Sequence, residues 1–597
     1  MCRIAGIVNK NISLAEIESM VKGMCDLQKH GGPDDEGLFV SEENNLVLGN
    51  RRLALLDLTH EGHMPMHYID RYCITYNGEL YNYLSLKDDL IQKGYQFQNQ
   101  TDTEVIMAAF AHWGTLCFAK FKGMFAFALF DKEEKELYLV RDTAGIKPLY
   151  VSNTSGMLAF ASEIRAFKSI PSINETNANW PVYMMAYGHL PEPITTLSAV
   201  KPLHKGCYIK YEIKKDRYSM QSYAHYSYTH HLSNKIEARG LLKDQLEASV
   251  ATHLIADAKV GVFLSGGLDS SIIATLASKY KQTDFSTLSI HFEDPAFSEK
   301  KYQDVLIDKL KCNHSQHLLT EAEFQHSFSS ILDSMDMPSC DGINTWFISK
   351  HAAEKGLKAV LSGVGGDELF GGYPSFNRMN IAKGLQLLPY SITQFGKYTK
   401  SKRFNRLAYL KMDGIKGLYL FLRGHYSPNE IALQLGAYEQ DIWNVLNDHP
   451  IMNDISVLEN KEEASWMEFN LYMQNQLLRD ADVMSMIHGV EIRLPFLDNE
   501  VIRLANKISP AVKFNGNLLK QFLIDTFKEE LPEMIWNRPK MGFSFPFAKW
   551  LGESDFVRDA MINSNTQSQH NYQKFLKGNL HWSQLISLVI MQHRGVV

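Results

Sequence analysis

Cysteine is scarce and unpaired in this sequence. Seven occur in 597 residues, with no Cys-x-x-Cys spacing, which argues against a disulfide frame or zinc knuckle and for reduced thiols in a cytoplasmic setting. Long apolar runs are missing too. Residues 123–130 form one of the longest, the length of a core strand and far short of a membrane helix, so no membrane partner is expected. Arg3 is followed by a charged, fragmented stretch, not by the apolar core of a signal peptide. There is no basic excess: 61 Lys+Arg stand against 67 Asp+Glu, a net charge of -6, which argues against a nucleic-acid partner. What remains is ordinary soluble composition, 45% hydrophobic and 21% charged. The length calls for two or more domains.

The strongest local pattern lies at residues 260–274. Val260, Val262, Phe263 and Leu264 read as a buried strand, Ser265-Gly-Gly267 breaks it, and Leu268, Ile272 and Leu276 resume at helical spacing. Strand, glycine turn and helix start make an anion site, because glycines let the backbone approach phosphate oxygens and the first helical N–H groups are free. No Gly-Lys-Ser/Thr follows, so this is not a Walker loop. A bare Gly-Gly turn is more often a plain connection. The full string Ser265-Gly-Gly-Leu-Asp-Ser-Ser271 resembles the pyrophosphate loop of ATP pyrophosphatases, which cut ATP between its α and β phosphates.

The chain opens Met1-Cys2-Arg3-Ile4-Ala5-Gly6-Ile7. With Met1 removed, Cys2 carries a thiol beside an α-amine that titrates near pH 8, a nucleophile with its own base. Alone, Cys2 reads better as a small buried residue. Four strings in order change that reading: Arg52-Leu-Ala-Leu-Leu-Asp57, Tyr76-Asn-Gly-Glu-Leu-Tyr-Asn82, Thr101-Asp-Thr-Glu104 and Gly123-Met-Phe-Ala-Phe-Ala-Leu-Phe-Asp131. With Cys2 they resemble the class II glutamine amidotransferases, N-terminal-nucleophile enzymes, over about the first two hundred residues. Arg141-Asp142, Gly145-Ile-Lys-Pro-Leu-Tyr150 and Phe160-Ala-Ser-Glu163 continue the match.

The resemblance implies that Cys2 attacks the glutamine amide. Asn77 and the Gly78 N–H then stabilise the oxyanion, Arg52 grips the α-carboxylate, and Glu79 and Asp102 receive the α-ammonium. Read singly, Asn77-Gly78 is a hairpin turn and Arg52 and Asp102 are surface charges. Gly31 stands in His30-Gly-Gly-Pro-Asp34 where the family usually has Arg, and Thr143 follows Arg141-Asp142 where another Arg is common. Alternation at 72–76, 124–130 and 137–140 predicts strands, and 102–112 predicts a helix. Two sheets between helix layers, an αββα sandwich, is the arrangement this family implies.

Polar residues from about 211 to 234 read as a crossover, dividing the chain into a glutaminase domain at 2–212, a linker at 213–234 and a synthetase domain at 235–597. His230-His231 lacks a third metal ligand at a recognisable spacing. In the second half, 241–254 reads as a helix, and 287–292 and 359–362 read as strands of a Rossmann-like parallel sheet with its ligand at the carboxyl ends. Ser362-Gly-Val-Gly-Gly-Asp-Glu-Leu-Phe-Gly-Gly-Tyr373, Ala481-Asp-Val-Met-Ser-Met486, Gly489-Val-Glu-Ile-Arg-Leu-Pro-Phe-Leu-Asp498 and Arg538-Pro-Lys-Met-Gly-Phe543 follow. Together they resemble glutamine-dependent asparagine synthetases.

That resemblance implies ATP and Mg²⁺ as cofactors and a carboxylate acceptor, aspartate by default. Main chain at Phe263, Leu264 and Ile290 holds adenine, and Ser362 and Gly363 hold the ribose or α-phosphate side. Ser265, Gly266, Gly267, Ser270 and Ser271 cradle pyrophosphate, Asp269 and Asp367 bind Mg²⁺, and Lys540 neutralises the leaving pyrophosphate. The acceptor carboxylate becomes an acyl-adenylate, and ammonia displaces AMP. A homodimer is common in the family. Val364 stands where these synthetases commonly carry an acid, which leaves open a different carboxylate, such as a uronic acid of a surface polysaccharide, or a non-catalytic, regulatory relative.

Overall fold

The computed structural model describes residues 2–154, 156–280, 286–388, 405–412, 414–449, 458–542 and 545–596. Met1 and Phe543 lie outside them.

The first half builds twelve strands: β1 (Cys2–Asn9), β2 (Asp35–Ser41), β3 (Leu46–Arg52), β4 (Met66–Tyr68), β5 (Tyr72–Leu80), β6 (Gly123–Asp131), β7 (Glu136–Arg141), β8 (Tyr150–Thr154), β9 (Met157–Ala161), β10 (Lys201–Pro202), β11 (Cys207–Glu212) and β12 (Arg217–Ser222). They form two antiparallel six-stranded sheets, in the orders β10-β8-β9-β1-β3-β2 and β12-β11-β7-β6-β5-β4. Strand alternation explains the layering. In β6, Ala126, Ala128 and Phe130 pack with Ile4, Val8, Leu46 and Leu48 of the facing sheet. Phe125, Phe127 and Leu129 turn the other way, toward Val105, Ile106 and Ala109 of the helix Asp102–Trp113. In β1, Ala5 and Ile7 meet Ile17, Val21 and Met24 of the helix Leu14–Leu27, which Ser13 and Glu16 start with a reciprocal capping box. Helix, sheet, sheet, helix is the expected sandwich, and β1 and β5 are both buried within it.

The stretch read as a linker contains β12, which pairs with β11 from Cys207↔Ser222 to Glu212↔Arg217. The first half's sheet therefore reaches Ser222, ten residues past Glu212. The pattern was hidden because β12 is a largely exposed edge strand with no apolar alternation. The helix Lys235–His253, capped by Asn234, then opens the second half.

There β13 (Val260–Phe263), β14 (Ser286–His291), β15 (Asn313–Leu318), β16 (Ala359–Leu361) and β17 (Glu491–Arg493) form a sheet in the order β15-β14-β13-β16-β17. Every pairing is parallel. β13, β14 and β16 are short and largely buried, as the inner strands of a parallel sheet are. β13 lies at the centre, so its carboxyl end, with those of β14 and β16, gathers the loops the sequence singled out. Among the described residues no helix is long and apolar enough to cross a membrane.

Candidate active sites

Two sites emerge, one in each half. In the first, β1 and β3 are antiparallel neighbours with Cys2 opposite Arg52, and β5 carries Asn77, Gly78 and Glu79. The Cys2 backbone nitrogen lies 3.4 Å from Asn77 Oδ1. Asn77 is fully buried and its Nδ2 has no hydrogen-bond partner. A buried amide N–H without an acceptor is costly, and its position beside the thiol suits a donor waiting for an oxyanion. The Cys2 thiol is buried and its pKa is raised, by desolvation first, so attack requires a base at hand.

Arg52 is buried, and its guanidinium donates to the carbonyls of Thr59 (2.8 Å), Leu56 (3.3 Å) and Asp57. These bonds fold the loop after β3 around it. Asp102 Oδ2 accepts from Tyr76 Oη (2.9 Å) and the Leu80 N–H (2.8 Å). Glu79 Oε1 lies 3.2 Å from Arg493 Nη2. Burial pushes the Glu79 carboxyl up to about 8, with Arg493 opposing. The missing arginine at Gly31 has a local reason: a Cβ there would stand 2.6 Å from Arg3 Nε. Arg3 in turn bridges Glu163 (2.7 Å) and Asp482 (2.8 Å). His30 also reaches Glu163, at 2.9 Å. His230 pairs with Glu462 at 2.7 Å.

In the second site, Gly266 takes φ +84° at the turn, which glycine adopts without strain. The helix Leu268–Ser278 starts at once. Ser265 and Ser270 tie the loop together: Ser265 Oγ lies 2.9 Å from Ser270 Oγ, and the Ser265 N–H donates to Ser270 Oγ at 3.2 Å. Ser271 Oγ is buried without a partner. Gly363 packs so tightly against the loop that a Cβ would lie 2.8 Å from Ser270 N and from Asp269 Cβ. The Ser362 N–H donates to the Arg493 carbonyl (2.9 Å). The Leu264 N–H donates to Leu288 O (2.8 Å), and Ile290 O accepts from Gln303 Nε2 (3.2 Å). Phe263 is half-buried at the end of β13.

Asp269 and Asp367 converge. Lys520 Nζ lies 2.6 Å from a carboxylate oxygen of each, and Lys540 Nζ is 2.7 Å from Asp367. Burial raises Asp367, but Lys520 and Lys540 outweigh it and hold the carboxyl down to about 2. Asp269 is raised by its burial. Its Oδ1 has no hydrogen-bond partner, so the pair fits an oxygen-seeking divalent cation at a phosphate, the setting Mg²⁺ favours.

Sequence reasoning missed two cations here. Lys520 lies outside every recognised string. Arg538, inside one, donates to Gly266 O (2.8 Å), pairs with Glu299 (2.6 Å) and stacks on Tyr302, 3.6 Å from the ring centroid. Behind Val364, Glu368 accepts from the Gly365 N–H (3.0 Å) and Tyr373 Oη (2.6 Å), and burial pushes its carboxyl up to about 7.

A buried thiol at the start of a two-sheet sandwich, joined to a parallel sheet with a glycine-serine loop and paired aspartates, defines a two-headed glutamine amidotransferase. Comparison with known proteins carries this further. The glutamine amidotransferase domain family matches residues 1–224 and the asparagine synthase family matches residues 241–581. The chain belongs to the asparagine synthase family. Asparagine synthetase [glutamine-hydrolyzing] 1 of Bacillus subtilis (strain 168) is 30% identical over 590 residues, covering 95% of this chain and 91% of that one. Asparagine synthetase B [glutamine-hydrolyzing] of Escherichia coli (strain K12) is 26% identical, covering 91% and 82%. Amidase chry2 of Gibberella zeae is 24% identical, covering 88% and 85%. The chain is a carbon–nitrogen ligase that forms an amide with glutamine as nitrogen donor, and ATP is its nucleotide.

Proposed function

We propose that the chain converts aspartate to asparagine through an acyl-adenylate, with glutamine hydrolysis in residues 2–222 and adenylation in residues 235–597. Cys2, once Met1 is removed, uses its own α-amine as base. Its thiolate attacks the glutamine amide, and Asn77 Nδ2 with the Gly78 N–H receives the oxyanion. Arg52, Glu79 and Asp102 hold the amino-acid end. In the second site the main chain at Phe263, Leu264 and Ile290 takes adenine, and Ser362 and Gly363 take the α-phosphate side. The Ser265–Ser271 loop takes pyrophosphate. Asp269 and Asp367 would hold Mg²⁺, which supplies neutralisation of phosphate charge. Lys540 and Lys520 receive the charge that develops on the leaving pyrophosphate. A small cavity between the halves is lined by Arg141, Tyr150 and Glu192 of the first half and Met337, Gln474 and Arg479 of the second. Arg141 pairs with Glu192 (2.9 Å), and Gln474 donates to Glu192 (2.7 Å), so one carboxylate holds this wall together. A homodimer in the cytoplasm completes the proposal, and sedimentation tests the assembly.

The observation that carries the reading is the convergence of Asp269, Asp367, Lys520 and Lys540 on the glycine-serine loop. Val364 supports a second reading. A valine there offers no carboxylate to an attacking ammonia or to an amino-acid substrate, so the acceptor is then another carboxylate, such as a uronic acid. ATP–pyrophosphate exchange against a panel of carboxylates decides. Exchange with aspartate supports the first reading, exchange with another acid alone supports the second, and production of ADP in place of AMP refutes both.

A further inference from the structure

Glu79, on the glutamine side, meets a residue of the other half. Arg493 sits at the end of β17, and its guanidinium is fixed on three sides by its own half. Nε donates to Glu491 (2.6 Å), and Nη1 donates to the carbonyls of His253 (2.8 Å) and Ile255 (2.6 Å). The remaining Nη2 has no hydrogen-bond partner and forms an ion pair with Glu79 Oε1, 3.2 Å away, with both side chains buried. Glu79, Asp102 and Glu491 are three buried carboxylates that act on one another, opposed at Glu79 by the Arg493 guanidinium and the amino end of the chain. Buried charge of one sign calls for a compensating partner, and an α-ammonium brought by a substrate supplies it. The same segment of the second half also fastens the loop around Arg52. The Asp257 N–H donates to Leu55 O (2.9 Å), and the Asp57 N–H donates to Asp257 Oδ2 (2.8 Å).

We propose that Arg493 is a positioning residue of the glutamine site contributed by the synthetase half, holding the Glu79 carboxylate in the orientation that receives the glutamine α-ammonium. This rests on the reading of Cys2, Asn77 and Glu79 as the glutaminase site. Arg493 touches no reacting atom. It acts through Glu79, so the glutamine pocket is complete only when β17 is docked against β5.

The full chain tests this by glutamate release from glutamine, with kcat and KM determined separately for Arg493→Gln, Arg493→Lys, Glu79→Gln and the double variant Glu79→Gln/Arg493→Met. The double variant removes both charges together and so avoids stranding one of them. The expected result is a glutamine KM raised about tenfold or more in Arg493→Gln with kcat within a few-fold, partial recovery in Arg493→Lys, and a double variant with the KM of Glu79→Gln alone. An unchanged KM in Arg493→Gln, or a double variant in which the two effects multiply, overturns the proposal. So does a parallel loss of kcat and of ammonia-dependent AMP formation, which would mark a merely structural role. A wild-type chain that releases no glutamate sinks the glutaminase reading itself. An active wild type with an unmoved KM sinks only the role of Arg493.

Discussion

Lys520 Nζ lies 2.6 Å from Asp269 Oδ2 across 251 residues of sequence. Lys520 itself holds φ +55°, a left-handed conformation uncommon outside glycine, at the start of the helix Gln521–Phe527. Strain of this kind persists where the surroundings over-determine it, and here the two aspartates do so. Both partners raise the pKa of Lys520 against its burial. On the proposed reading, an ammonium held between these two carboxylates follows charge onto pyrophosphate as it leaves. Lys520→Met should therefore lower AMP formation by about a hundredfold or more, the usual scale for losing one donor to developing charge, while glutamate release from glutamine continues. Equal loss of both activities would mean that Lys520 supports the fold and not the chemistry.

Cys2→Ala should abolish glutamine-dependent synthesis and leave ammonia-dependent synthesis within a few-fold of wild type. The two sites occupy different sheets, the Cys2 strand in one of the first half's antiparallel sheets and the Ser265–Ser271 loop at the end of the parallel one. The same protein, intact, should show a mass lacking the initiator methionine. Retention of Met1 in an enzyme that still deamidates glutamine would remove the α-amine from the mechanism.

Much of this was legible in advance where local and global demands coincide. Cys2, Asn77, Gly78, Glu79 and Asp102 fall in strings whose residue types fit the proposed chemistry, and the strands bearing the first four alternate or run apolar as buried strands must. The strand, glycine turn and helix of the Ser265–Ser271 stretch were legible because glycines interrupt an apolar strand before helical spacing resumes. Lys520 and Arg493 were invisible as site residues because their roles depend on long-range contacts. Nothing near Lys520 in sequence marks a phosphate site, and Arg493, although inside the Gly489–Asp498 string, carries no sign of a partner on β5. β12 escaped because an exposed edge strand needs no apolar face, and the π-helical stretch Glu468–Leu477, which carries Gln474 to the cavity wall, has no periodicity that a 3.6-residue template would find.

Glutamine use should improve as pH rises toward 8. Burial pushes the Glu79 carboxyl up to about 8, against Arg493, with Glu491 and Asp102 adding to the rise and the amino end of the chain opposing it. Below that value Glu79 is largely neutral before substrate arrives, so binding an α-ammonium must first expel a proton. The KM for glutamine should fall with increasing pH up to about 8, and Glu79→Gln should flatten the profile. Stability runs the other way. The folded value lies above the unfolded one, so protonated Glu79 favours the fold at low pH, and that contribution is lost as pH rises through about 8. A KM profile that is flat in wild type between pH 6 and 8 would contradict this assignment.

Arg3 joins the two halves through buried ion pairs, at 2.7 Å to Glu163 and 2.8 Å to Asp482, and Lys147 adds a contact of 3.4 Å to Asp482. Burial disfavours the Glu163 carboxylate, but Arg3, His30 and Arg165 outweigh it and hold the group well below the usual carboxylate range. Arg3→Met strands Asp482 with Lys147 alone and should cost roughly 3–5 kcal/mol, the scale for breaking a buried pair from one side. The sign of the pH dependence follows from the depressed value. The stabilisation by Glu163 is fully present above the unfolded carboxylate pKa of about 4.3 and is lost as pH falls below it. Wild type and Arg3→Met should therefore differ most in urea midpoint near pH 7 and converge as the solution is acidified below about 4. A difference that stays constant from pH 7 to 3 would assign the loss to packing around the Arg3 stem, and the ion pairs between the halves would then carry none of it.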